Sequence, residues 1–265
     1  MIKLIATDMD GTLLDENKKL PAEFFTLLNR LKEKGISFVI ASGRSYITLY
    51  ENFRPHSDSM DFICDNGAFV VLNGGITNLD IIEPARLQEL VRACNEMEDV
   101  RLLLCGVKGT YHLPFDAAFD SHIKAYYINR RVMNDLLNVK DDIFKVAICD
   151  LQGPEKHSFP LLTKQFGEEF ALQISGSVWM DAMNKGVNKG VALAKIQQNL
   201  GVSREQTMAF GDFYNDIELL RQAEYSFVMA NANEDMFQHG HYRAGSNAEH
   251  GVIRAIEEYI FEKGL

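Results

Sequence analysis

The residues best suited to chemistry stand near the front of this chain. A short, mostly apolar run, Ile2-Lys3-Leu4-Ile5-Ala6-Thr7, ends in Asp8-Met9-Asp10-Gly11-Thr12. Residues i and i+2 of a strand point to the same side. In a parallel sheet such a strand end opens on the ligand crevice at the carboxyl edge. Two carboxylates there suit a cation, and an Asp beside a metal can attack phosphorus. Asp-x-Asp-Gly is also a common turn pattern, so the remaining sequence has to decide.

Three further groups bear on that decision. Ser42-Gly43-Arg44 closes a second apolar run. A serine there can cap a helix, or its hydroxyl and nearby N–H groups can hold a phosphoryl group at a helix start. Lys189, in Asn188-Lys189-Gly190, falls on the first turn of an expected helix. A cation is mildly unfavourable there against the helix dipole, which suits a lysine reaching an anion better than a decorative one. Gly211-Asp212-Phe213-Tyr214-Asn215-Asp216 places two more carboxylates just after a buried run. A single hard cation with oxygen ligands accounts for this set more economically than capping does. Mg²⁺ is the natural candidate, because it keeps waters and accepts phosphate oxygen. No histidine lies in any of these groups, which leaves a Ser–His–Asp arrangement little support.

These groups need strands and helices to position them. Strands are expected at 3–7, 36–41 and 61–64, with helices at 21–34, starting on Pro21, and at 45–53. Alternation of this kind begins a parallel α/β sheet. Near residue 80 the rhythm changes. A helix at 83–97, strands at 101–105 and 110–113, a helix at 132–138, a strand at 144–149 and a helix at 156–166 follow. Two strands, 170–175 and 177–181, then meet tightly at Gly176. This is the pattern of an α+β unit with an antiparallel sheet. The α/β rhythm returns with a helix at 187–200 stopped by Gly201, a strand at 206–210, a helix at 216–222, a strand at 225–229 and a final helix. The expected fold is therefore α/β: a Rossmann-like parallel-sheet core, residues 1–80 and 185–265, interrupted by an inserted α+β cap domain at 81–184. Polar strand ends at Asp8–Asp10, Ser42, Asp65–Asn66 and Gly211–Asp212 share one sheet edge in such a core.

Composition narrows the function classes. Of 265 residues, 46% are hydrophobic and 24% charged, ordinary for a globular protein. The formal net charge of -10 argues against nonspecific binding to nucleic acid or acidic membranes, but not against anionic substrates beside a cation. No apolar stretch is long enough for a transmembrane span, and no secretory leader pattern opens the chain. Cys64, Cys94, Cys105 and Cys149 are scattered and read as buried thiols of a reducing compartment. The expectation is a cytoplasmic protein with a small phosphorylated metabolite as partner, no nucleic acid, no membrane, and a monomeric or weakly homo-oligomeric state.

Together these motifs resemble the haloacid dehalogenase superfamily of phosphohydrolases, specifically its Cof-like branch with a large α/β cap of the C2B type. Asp8-Met9-Asp10-Gly11-Thr12 matches the first motif, Ser42 the second, Lys189 the third, and Gly211-Asp212-x-x-Asn215-Asp216 the fourth. The hundred-residue insert between the second and third marks the cap class. The resemblance implies that Asp8 is the nucleophile, forming an aspartyl-phosphate, and that Asp10 is the general acid/base. It implies Mg²⁺ held by Asp8, the backbone carbonyl of Asp10 and Asp212, with Asp216 supporting the metal site. Ser42, Gly43, Lys189 and Asn215 would bind phosphate. Phe213 stands where this branch usually has a small residue, Met229-Ala230-Asn231-Ala232 where it has Met-Gly-Asn-Ala, and His250-Gly251-Val252 where it has Asp-Gly-Val.

The function implied is Mg²⁺-dependent hydrolysis of small phosphomonoesters, with sugar phosphates the leading substrate class. Phosphatases of cofactors such as pyridoxal phosphate or flavin mononucleotide come next, and a catalytically silent phosphometabolite-binding regulatory module is the alternative of another class. The core motifs can recognise only phosphate and metal, so the cap is expected to select the substrate. Tyr111 and His112 on one stretch, and Trp179 beside the Gly176 turn, are its candidate contacts. For Trp179, ordinary packing is the better account.

Overall fold

A computed structural model describes every residue except 125, 126 and 128. The chain divides into two compact units, residues 1–78 with 188–265, and residues 79–187. Among the described residues, no helix is long and apolar enough to cross a membrane.

The first unit opens with β1 (Leu4–Thr7), α1 (Phe24–Glu33), β2 (Ser37–Ala41), α2 (Tyr46–Asn52), β3 (Asp61–Cys64), β4 (Phe69–Leu72) and β5 (Gly75–Leu79). In the second unit come α3 (Pro84–Asn95), β6 (Val100–Gly106), β7 (Gly109–His112), α4 (Ala117–Ile123), β8 (Arg130–Val132), β9 (Ile143–Asp150), α5 (Ser158–Phe166), β10 (Phe170–Gly176) and β11 (Trp179–Asn184). The first unit resumes with α6 (Lys189–Leu200), β12 (Thr207–Gly211), α7 (Ile217–Arg221), β13 (Tyr225–Met229), β14 (Tyr242–Ala244) and α8 (Gly251–Ile256).

Among the described residues, the first unit's strands form one eight-stranded sheet in the order β14-β13-β12-β1-β2-β3-β4-β5. All pairings from β14 to β3 are parallel. β1 lies at the centre, parallel to β2 on one side and β12 on the other, with Leu4–Thr7 wholly buried. A strand covered on both faces reads as an unbroken apolar run, which is why Leu4-Ile5-Ala6 shows no alternation. Ala6, Val39, Ile63, Ala209 and Val228 pack on one face with Leu193 and Ile196 of α6.

Several expectations are corrected here. α1 begins at Phe24 rather than at Pro21, whose carbonyl instead accepts from the Phe24 N–H in a preceding turn. Beyond β3 the chain turns back as the antiparallel β4, and β5 lies at the sheet edge; neither is among the expected strands. The helix expected at 132–138 is absent: Arg130–Val132 is an edge strand beside β7, and only Leu136–Asn138 makes a single 3-10 turn, capped by Asp135.

In the second unit the sheet order is β10-β11-β9-β6-β7-β8. β9 is central, antiparallel to β6 and β11. One face carries Leu102, Leu104, Val146, Ile148 and Met180, packed with Leu90 and Cys94 of α3 and Leu162 and Phe166 of α5. Over the other face lie Phe115, stacked on His112 at 4.2 Å, and Phe119, with the Arg101 guanidinium 4.6 Å from its ring. All four cysteines are buried and none is in a disulfide. Burial pushes the Cys94 and Cys149 thiols up to about 12.

Candidate active site

The site forms where β1, β2, β3 and β12 end. Asp8 leaves β1 with its N–H donating to the Phe210 carbonyl of β12 at 3.0 Å, and it is 6% exposed. The next five residues make a tight loop in which Gly11 adopts φ +81. A Cβ on Gly11 would lie 2.3 Å from an Asp212 carboxylate oxygen, so glycine is needed both for the conformation and for the close approach. Thr12 Oγ1 donates to Asp212 Oδ1 at 2.8 Å, tying this loop to the one after β12.

Lys189 is the hub. It is the first residue of α6, whose cap Asn188 accepts from the Val191 N–H at 2.8 Å. Its side chain is fully buried, and Nζ donates to Asp8 Oδ1 at 2.5 Å and to Asp216 Oδ1 at 2.6 Å. The other oxygen of Asp216 accepts from the N–H groups of Asp212 at 3.1 Å and Phe213 at 3.2 Å. Asp216 therefore spends both oxygens on Lys189 and on the loop that carries Asp212.

Oxygens of Asp8, Asp212 and Asp216 all lie within 4.8 Å of one another. Burial, then repulsion by Asp216, pushes Asp8 up to about 8, with Lys189 acting against them. Burial first, with Asp216 and Asp10 adding, raises Asp212 to about 6 against the Thr12 hydrogen bond. Burial alone would lower Lys189, but Asp216 and Asp8 together override it and raise the ammonium's pKa. Three clustered carboxylates beside one ammonium leave negative charge unbalanced. Hard oxygen donors with surplus charge are the donor set a small divalent cation takes, and the residues fit one.

The remaining motif residues gather around this centre. Ser42, 2% exposed, accepts the Arg44 N–H on its hydroxyl at 3.1 Å and the Asn66 N–H on its carbonyl at 3.1 Å. It does not cap α2; Ser45 holds that position. Gly43 packs against the Asn66 amide, where a Cβ would come within 3.3 Å. Asn66, in a left-handed conformation, accepts from Asn215 Nδ2 at 3.1 Å. Asp10 is taken by Arg44, whose Nε and one terminal nitrogen donate to its two oxygens at 2.7 and 2.5 Å.

Two partners went unread in the sequence. Arg44 stands in the quoted Ser42-Gly43-Arg44 group, but nothing local shows that its fork reaches Asp10. Asn231 donates to the Gly11 carbonyl at 2.8 Å and accepts from the Asn247 N–H at 3.0 Å, bracing the catalytic loop from β13's far end. The departures at Phe213 and Tyr214 leave both rings half exposed, packed on each other at 4.9 Å, with the Tyr214 hydroxyl on Asp235.

The three candidates of the second unit are not equivalent. Tyr111 pairs with Leu104 and turns into the packed core, its hydroxyl on Asp141 at 3.0 Å. Strand alternation then sends His112 to the opposite face. Trp179 also lies opposite the core, so Tyr111 and Trp179 cannot face one ligand.

Residues 5–256 match the family model of haloacid dehalogenase-like hydrolases. The chain is 32% identical over 264 residues to the 5-amino-6-(5-phospho-D-ribitylamino)uracil phosphatase YbjI of Escherichia coli, covering 98% of this chain and 96% of that one. It is 28% identical over 273 residues to the Bacillus subtilis protein YitU of the same designation, covering 97% of each. The crystal structure of SMU.1108c from Streptococcus mutans superposes with a TM-score of 0.86 at 27% identity, covering 98% of this chain and 99% of that one. With its carboxylates gathered at one sheet edge around a buried lysine, this chain belongs to the haloacid dehalogenase-like hydrolases, in their Cof-like branch, and is a phosphatase.

Proposed function

We propose that the protein is a Mg²⁺-dependent phosphomonoesterase in which Asp8 attacks phosphorus. The observation that carries this is the placement of Asp8 against Lys189, beside Asp212 and Asp216, at the end of the central strand. An anionic nucleophile meeting a phosphate dianion needs local positive charge and in-line positioning. Lys189 supplies one charge. Mg²⁺, held by Asp8, Asp212 and the Asp10 carbonyl with Asp216 in support, would supply the rest by neutralising phosphate oxygens.

The remaining steps belong to the chain. An Asp8 oxygen forms a bond to phosphorus as the ester P–O bond breaks, and Asp10 gives its proton to the leaving oxygen. Asp10 then takes a proton from water, which attacks phosphorus and frees Asp8. Ser42, the Gly43 N–H, Asn215 and Lys189 hold the phosphoryl oxygens. A protonated Asp10 can keep one Arg44 N–H on its carbonyl oxygen while its hydroxyl faces the leaving oxygen, so Arg44 orients the acid.

The cap selects the leaving group, because phosphate and metal look alike in every substrate. The first substrate to test is 5-amino-6-(5-phospho-D-ribitylamino)uracil, the compound named for the two relatives above. Its ester is that of a sugar alcohol, which keeps it close to the sugar-phosphate class. Trapping with a beryllium fluoride phosphate mimic should place the adduct on Asp8, and Asp8→Asn should abolish turnover of a phosphate-ester panel. An adduct elsewhere, or turnover by the variant, sinks the assignment.

A further inference from the structure

The Asp65-Asn66-Gly67 turn after β3 belongs to none of the four motifs, yet it touches three of them. Its residues all adopt a positive φ, +48, +53 and +106. Such conformations are uncommon outside glycine; they persist where the surroundings hold them, often beside ligands. Here the surroundings are the motif loops. The Asp65 N–H donates to the Arg44 carbonyl at 3.0 Å, and the Asn66 N–H to the Ser42 carbonyl at 3.1 Å. A Cβ on Gly67 would lie 2.4 Å from the Asn188 carbonyl oxygen, next to Lys189. The Asn66 side chain accepts on Oδ1 from Asn215 Nδ2 at 3.1 Å.

A side chain buried in so fixed a place ordinarily has its polar atoms paired. Asn66 is 9% exposed, and one of its atoms is not paired. Asn215 occupies Oδ1, whereas Nδ2 has no acceptor among the described residues. Nor is Nδ2 sealed in: the enclosed side-chain atoms without a partner do not include it. Because Asn215 donates, the end of the amide left over is the NH2 group and not the oxygen. It lies against Gly43, whose Cβ would come 3.3 Å from it. The nearby Ser42 hydroxyl accepts from the Arg44 N–H and keeps its own hydrogen for another acceptor. Donors gathered without acceptors suit an anion. Every non-bridging oxygen of a phosphoryl group accepts, and hydrogen bonds to such charged oxygens are the strong ones.

We propose that Asn66 is a further phosphate-binding residue, its Nδ2 donating to a non-bridging phosphoryl oxygen alongside the Ser42 hydroxyl and the Gly43 N–H. Asn215 orients it by holding the other end of its amide. This rests on the reading above that phosphate lies among Ser42, Gly43 and Lys189. Charge spreads over the non-bridging oxygens in the transition state, so a donor held there lowers the barrier as well as binding substrate.

Two variants separate a donor from a turn builder. Asn66→Asp keeps the size, the tolerance for a positive φ and an oxygen for Asn215, but turns an acceptor toward the anion. Asn66→Gly keeps the backbone conformation and removes the amide. A donor role ranks activity as wild type, then Asn66→Gly, then Asn66→Asp. A turn-building role places Asn66→Asp nearer to wild type than Asn66→Gly. Orthovanadate, which takes up the five-coordinate geometry of phosphoryl transfer, is the probe. With Mg²⁺ present and p-nitrophenyl phosphate as substrate, its inhibition constant should rise about tenfold or more in Asn66→Gly, as for the loss of one hydrogen bond to a charged group. It should rise further in Asn66→Asp, and kcat should fall in the same order. Melting curves identify folded variants; should Asn66→Gly unfold, the same loss in the isosteric Asn66→Asp carries the test. Wild-type inhibition and turnover in a folded Asn66 variant, or a smaller loss in Asn66→Asp than in Asn66→Gly, overturn the assignment and leave the phosphate reading standing. Should Ser42→Ala and Lys189→Met also leave vanadate inhibition unchanged, phosphate is held elsewhere and that reading falls with it.

Discussion

At the scale of single residues, the site is a set of charges that depend on one another. Arg44 holds both oxygens of Asp10, which orients the proposed proton donor. Arg44→Met is expected to lower kcat for an alkyl phosphate by roughly tenfold or more, within the range general acids contribute. With p-nitrophenyl phosphate, whose leaving oxygen needs little protonation, kcat should fall far less. Asp10→Asn should show the same contrast more steeply. Equal losses on the two esters would mean that Arg44 serves phosphate binding instead. The first, second and fourth motifs were legible because each is a short run of polar residues after an apolar one. The Arg44–Asp10 fork was not, since 34 residues separate its ends and a fork leaves no local pattern. Asn231 carries no local signal; its hold on Gly11 across 220 residues is a property of the folded chain.

At the scale of elements, helix α6 carries the site's lysine and packs on α7 without a side chain between them. A Cβ on Gly190 would lie 2.3 Å from the Glu218 carbonyl oxygen. Gly190→Ala must push the two helices apart, and overpacking of this kind costs about 1–3 kcal/mol. The expected result is a melting temperature several degrees lower and reduced activity, because Lys189 is the adjoining residue; an unchanged melting curve would show that the helices yield freely. Elements with strong periodicity or buried runs were readable: β3 and β13 match their expected bounds, and α6 starts within two residues of expectation at its Asn188 cap. β4 and β5 were not, because Phe69–Leu72 gives a four-residue apolar run with no partner in view and Gly75–Leu79 is largely exposed. The helix expected at 132–138 failed for a related reason. Its apolar spacing is satisfied by Leu136 packing from a single turn, while Val132 stays exposed on an edge strand.

At the scale of the molecule, the buried carboxylates couple folding to pH and to metal. Asp8 holds its proton up to about pH 8 when folded, against 3.8 ordinarily, and Asp212 up to about 6. Between those values the folded chain binds more protons than the unfolded one, so stability is full below the ordinary value and falls as pH rises through the folded one. In EDTA the melting temperature should therefore decline between pH 5.5 and 8.5, and Asp8→Asn should flatten the decline. Added Mg²⁺ displaces those protons, so its stabilising shift should grow over the same interval. A metal-free melting temperature that rises with pH, alike in wild type and variant, would contradict this. The order of the strands has another consequence, for synthesis. β1 is made well before its neighbour β12, which follows the whole second unit some 200 residues later. A chain growing from the ribosome thus carries β1 with one hydrogen-bonding edge bare, and Asp8 without its lysine, while 79–187 emerges and folds in between. The part of the sheet made before the second unit awaits its other side, a natural client for a chaperone, and the phosphatase centre closes only after α6 and β12 have emerged. Arrested chains ending near residue 185 should stay protease-sensitive in β1–β3 while the second unit resists digestion.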